Sequence, residues 1–89
     1  MRVSVSVKGK VQGVGFRYFA MQAGRRLGLT GWVRNLPDGR VEAEAQGDER
    51  SLKRFVTELE KGPPGAIVDS LKSQPMPDMT GEKDFEWRA

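Results

Sequence analysis

The sequence predicts a two-layer α+β sandwich, ordered strand, helix, strand, strand, helix, strand, with one further short strand at the end. Three observations predict it. Val3, Val5 and Val7 alternate with Arg2, Ser4, Ser6 and Lys8, a period of two that buries one face of a strand. Val41, Ala43 and Ala45 alternate in the same way with Glu42, Glu44 and Gln46, directly after a strong turn. Two other segments repeat their apolar residues at helical spacing.

The first strand runs from Arg2 to Lys8 and leads into a glycine-rich loop. A helix follows from about Phe16 to Leu27, because Phe16, Phe19, Ala20, Ala23 and Leu27 fall on one face. Arg25 and Arg26 place positive charge in its last turn, and Gly28 stands where a helix ends in the left-handed conformation. Leu29 to Leu36 reads as the second strand. The turn Leu36-Pro37-Asp38-Gly39 joins it to the third as a hairpin. Asp48 caps a second helix with Leu52, Phe55, Val56 and Leu59 on one face, stopped by Gly62 and Pro63-Pro64. The fourth strand, about Ile67 to Ser73, has a disturbed alternation: Ile67 and Leu71 share one face and Val68 takes the other. Residues 74–83, with Pro75, Pro77, Asp78 and Gly81, read as a loop, and Phe85 and Trp87 as a short final strand. This is the split βαβ order of ferredoxin-like folds, with an antiparallel sheet, two helices on one face, and residues 1–89 as a single domain.

At 89 residues there is room for one core and one shallow site. The chain has no cysteine and no histidine, which excludes disulfides and Ser/His or Cys/His nucleophilic chemistry. The carboxylates show no metal-site spacing, so neither a metal nor a cofactor is expected. Met1-Arg2-Val3-Ser4 enters a strand directly, so no secretory leader is expected, and no run nears the ~20 apolar residues of a membrane span. A soluble cytoplasmic monomer is therefore expected. The net charge of +3 is spread over scattered basic residues, which favours a small anion over nucleic acid as ligand.

The chemistry concentrates in Gly9-Lys10-Val11-Gln12-Gly13-Val14-Gly15-Phe16-Arg17. A strand, a glycine turn and a helix start leave backbone N–H groups converging on one concavity with the helix dipole behind them, which suits an anion and phosphate above all. Arg17 in the first helical turn can fold back as a two-pronged clamp. The loop is not the P-loop of nucleotide hydrolases, since Gly9-Lys10 is followed by Val11. Nor is it a dinucleotide fingerprint, since Tyr18 stands where a third glycine belongs. On spacing alone, a phosphate cradle and a merely flexible connection both remain open. In the predicted topology Asn35, at the carboxyl end of the second strand, faces this loop. It reads either as an amide that holds a water by its oxygen or as an ordinary residue leading into a turn, and spacing alone favours the turn.

Val7 to Arg17 resembles the first signature of the acylphosphatases, and Gly31 to Gly47, containing Trp32-Val33-Arg34-Asn35, resembles the second. The likeness extends to the link Gly62-Pro63-Pro64-Gly65. It implies a ferredoxin-like enzyme that hydrolyses small acyl phosphates without a cofactor. It also implies that the phosphate is bound by the backbone of Gln12, Gly13, Val14, Gly15 and Phe16 together with Arg17, and that water is positioned by Asn35. The end, Phe85-Glu86-Trp87-Arg88-Ala89, departs from the family's aromatic-x-isoleucine-arginine-tyrosine pattern, and the 74–83 loop is rich in methionine and proline. Both departures are expected to lie clear of the cradle. The rival readings are a catalytically silent anion-binding module, including one like the leading domain of larger hydrogenase-maturation proteins, and an RNA-binding ferredoxin-like sheet. The outward positions Ser4, Ser6, Glu42, Glu44 and Gln46 offer RNA no aromatic platform.

Overall fold

The computed structural model describes residues 1–89. Its elements are β1 Arg2–Lys10, α1 Phe16–Arg26, β2 Thr30–Asn35, β3 Val41–Gln46, α2 Glu49–Lys61, β4 Ile67–Met76 and β5 Phe85–Trp87. The strands lie in the order β4-β1-β3-β2-β5, with β3 antiparallel to both β1 and β2. β1 and β2 therefore run the same way on either side of β3, and the loop after β1 comes to the same end of the sheet as the carboxyl end of β2.

β1 to β4 form the expected antiparallel sheet, and the short extra strand β5 joins it in parallel with β2, Gly31 opposite Phe85 and Val33 opposite Trp87. The cause is the route of the chain. β4 finishes with Met76 opposite Arg2, at the end where β1 and β2 begin, so the segment that crosses from there must enter beside the start of β2 and run along with it. β4 also continues past its expected end to include Pro75, which an edge strand tolerates because it has no outer partner to miss the amide.

The faces of β4 are corrected too. Between Lys8 and Gly9 the pairing shifts, so that Lys8 lies opposite Ser70 and Gly9 opposite Val68. Asp69 is the extra residue of a β-bulge. Val68 and Leu71, three apart, consequently share the core side, and Ile67 is exposed. A strict period of two fails to describe such a strand.

Val3, Val5 and Val7 of β1 and Val41, Ala43 and Ala45 of β3 meet Phe16, Ala20, Phe55 and Leu59 from the helices in one core. Phe85 enters it from β5, its ring centroid 5.4 Å from that of Phe55. Gly24 makes this possible, because a Cβ on it would stand 2.3 Å from the Phe85 ring. Alanine is the better helix former by about 1 kcal/mol. Gly24→Ala is nevertheless expected to destabilise by about 1–3 kcal/mol through overpacking against β5. Urea denaturation measures this, and a stabilised variant would contradict the packing.

Residues 77–84 form a strap across the open face of the sheet. The Gln46 side chain bonds both the N–H and the carbonyl of Met79, at 2.8 and 2.9 Å. Glu82 accepts two bonds from Arg2, at 2.8 and 3.2 Å, and Arg2 also donates to Glu44 at 3.0 Å and Gln46 at 3.1 Å. Arg2 is fully buried beneath the strap. Its hydrogen bonds hold the Glu82 carboxyl below the ordinary carboxylate range. A depressed folded pKa contributes stability above the unfolded value, about 4.3, that is lost as pH falls through the lower folded value. Glu82→Gln is expected to cost about 1.5–3 kcal/mol at pH 7, the range for a hydrogen bond to a charged group, and to flatten the loss of stability below about pH 4. Urea midpoints at pH 7 and pH 3 test this; an unchanged acid limb would count against it.

Candidate active site

Past β1 the backbone turns left-handed at Gly13 and Gly15, with φ of 76° and 77°, while Val14 between them does not. Such alternation points successive N–H groups to one side, a nest shaped for an anion. A Cβ on either glycine would meet nothing within 4 Å, so the backbone angle and not crowding requires glycine there.

Gly15 is also the N-cap of α1, and it supplies no side-chain cap to a first turn that contains no acidic residue. The Phe19 N–H bonds Gly15 O at 3.0 Å, and those of Phe16, Arg17 and Tyr18 before it have no intrahelical acceptor. α2 is built the opposite way. Asp48 accepts from the Ser51 N–H at 2.8 Å and Glu49 adds a carboxylate to the first turn. The sequence thus neutralises one helix start and leaves the other positive and open.

Arg17 and Asn35 line one cavity of about 170 Å³, together with Gly13, Gly15 and Tyr18. Buried Val11 and Phe16 form part of its wall. Asn35 ends β2, its backbone paired with Val41 of β3, so the hairpin fixes its position. Gln12 and Val14 are not on the cavity wall. The Gln12 amide instead donates to Leu36 O at 2.8 Å and Arg40 O at 3.0 Å, tying the loop to the hairpin beyond Asn35.

The terminus does not lie clear of the cradle as expected. Trp87 lines the cavity, the Arg17 guanidinium sits 4.6 Å above its ring, and Arg17 donates to the Arg88 carbonyl at 3.1 Å. One of five guanidinium N–H groups is thereby used and four remain for a ligand. Parallel pairing puts Trp87 beside Val33, two residues before Asn35. The alternation of Phe85 with Trp87 signalled a strand; which strand it would join was not in the pattern.

Arg34 and Arg40, on the hairpin that carries Asn35, are paired, Arg34 with Glu42 at 2.7 Å and Arg40 with Asp38 at 2.8 Å. A larger hollow of about 690 Å³ lies on the open face beside Ser4, Ser6, Arg40 and Lys72, but neither a left-handed glycine nor an uncapped helix start is on its wall. The smaller cavity is the one whose wall carries the left-handed glycines and the uncapped helix start.

The acylphosphatase family profile matches residues 3–87. The acylphosphatase of Anaeromyxobacter dehalogenans is 51% identical over 72 residues, 81% of this chain and 77% of that protein. That of Clostridium beijerinckii is 46% identical over 85 residues, covering 96% and 94%. Among solved structures, the acylphosphatase from Bacillus subtilis superposes with a TM-score of 0.95 at 36% identity, covering 99% of this chain and 98% of its own. With likeness of this depth along nearly its whole length, the chain belongs to the acylphosphatase family.

Proposed function

We propose that this chain hydrolyses the carboxyl–phosphate bond of small acyl phosphates with its phosphoryl group seated on the Gln12–Arg17 amides and the Arg17 guanidinium, and with the attacking water held by Asn35. One observation carries the reading: a left-handed glycine nest, an uncapped helix start, Arg17 and Asn35 meet at one cavity.

An acyl phosphate is a mixed anhydride with a good leaving group. Water attacks phosphorus, the bond from phosphorus to the acyl oxygen breaks, and its electron pair leaves on the carboxylate. Little proton transfer to the leaving group is required. Charge spreads over the three outer phosphoryl oxygens in the transition state, where the nest amides and Arg17 stabilise it. No carboxylate lines the cavity, so the proton of the attacking water passes to the phosphoryl group itself. The same donor set, lacking Asp, Glu, His and Cys, fits metal-independent chemistry. The proposed enzyme is a cytoplasmic monomer, the reaction as written calling on no group from a second chain. On the open face Trp32 is only 6% exposed, covered by Arg34 and Arg88 at 5.1 and 4.7 Å, which supports a small-molecule ligand over stacked nucleic-acid bases.

The test is hydrolysis of benzoyl phosphate, followed by ultraviolet absorbance, with inorganic phosphate as competitor and a chelator present. Chelator-resistant turnover inhibited by phosphate is the expected result. No turnover by the folded protein would reduce it to an anion-binding module.

A further inference from the structure

The cradle accounts for the anionic half of an acyl phosphate, and the carbon half has no seat in it. Of the apolar side chains on the cavity wall, Val11 and Phe16 are each 1% exposed and belong to the core. Tyr18 and Trp87 are 58% and 53% exposed. Five of the chain's seven aromatic residues are buried or partly buried, and these two, the only exposed ones, both stand at this cavity. Tyr18 follows Arg17 in the first turn of α1, and Trp87 lies beneath the Arg17 guanidinium.

We propose that Tyr18 and Trp87 form the acyl subsite, receiving a flat apolar group so that aromatic acyl phosphates are preferred to acetyl phosphate. The proposal rests on the hydrolysis reading above. Aromatic faces carry negative partial charge and do not attract a phosphate, but they take planar apolar groups in stacked or edge-on contact. Each exposed ring in water is an apolar surface that a substrate's carbon framework can cover. Holding Arg17 is a sufficient task for Trp87 but explains nothing about Tyr18, which makes the shared cavity wall the more economical account of both.

The experiment compares kcat/KM for benzoyl and acetyl phosphate in the wild type, Trp87→Ala and Tyr18→Ala, with folding checked by circular dichroism. Loosening Arg17 acts on the phosphoryl group common to both substrates, so it cancels in the benzoyl-to-acetyl ratio. That ratio is expected to fall about five- to tenfold in Trp87→Ala and about threefold in Tyr18→Ala, with Trp87→Phe keeping most of it. A ratio within about twofold of wild type in both alanine variants overturns the subsite and leaves hydrolysis standing, twofold being well under the effect of one lost ring contact. Absence of turnover of either substrate by the wild type overturns the hydrolysis reading and the subsite with it.

Discussion

Arg17→Ala is expected to lower kcat for an acyl phosphate by about 10²–10³-fold and to weaken competition by inorganic phosphate by about tenfold or more. Both effects follow from one feature. The guanidinium is the only charged group on the cavity wall, so under the proposed mechanism it acts on the ground-state phosphate and on the charge that develops in the transition state. Stability should change little, because alanine forfeits only an exposed hydrogen bond to Arg88 O and a stack on the half-exposed Trp87, the stack worth about 0.5–1 kcal/mol at such a site. Arg17→Lys is not expected to restore activity. An ammonium is a point charge and cannot satisfy Arg88 O and grip two phosphoryl oxygens with a planar fork. Initial rates against benzoyl phosphate, with a phosphate inhibition constant for each variant, decide this; wild-type phosphate affinity in Arg17→Ala would remove Arg17 from the cradle.

The sequence disclosed what rests on local pattern. The strands β1 and β3 were legible because their buried valines and alanines alternate without interruption. The turn before β3 and the Asp48 cap were legible because proline, glycine and aspartate have few conformational uses. Asn35 could be placed opposite the glycine loop because topology, once inferred, fixes which strand ends coincide. What escaped were features made by chain segments far apart. The bulge at Asp69 depends on β1 as much as on β4, and it brings Val68 to the same face as Leu71 against the alternation of β4 alone. Buried Arg2 reads as a surface residue of a terminal strand until Glu82, eighty positions away, is laid over it by the strap. Trp87 escaped for the same reason, since its strand is too short to announce a partner and its place beside β2 is set by where β4 ends. In each case composition supplied the residue and long-range pairing supplied its meaning.

Asn35→Ala should separate the two halves of the mechanism. If Asn35 orients the attacking water, its amide acts on a reactant that inorganic phosphate lacks, and its loss should lower kcat by about 10²–10³-fold while leaving phosphate inhibition within about twofold of wild type. The backbone at this position is held by pairing with Val41, and the hairpin behind it is tied to the loop through Gln12, so alanine removes the amide without moving the cradle. Asn35→Asp offers the complementary result. A carboxylate there still has an oxygen for the water, but it places negative charge at the wall of the proposed phosphate cavity, so kcat and phosphate affinity should fall together. If Asn35→Ala instead weakened phosphate inhibition as severely as Arg17→Ala, the amide would be a ligand of the phosphoryl group. The water would then need another holder among the residues of that wall. The hydroxyl of Tyr18 is the remaining side-chain oxygen there, and Tyr18→Phe would be the variant to measure next.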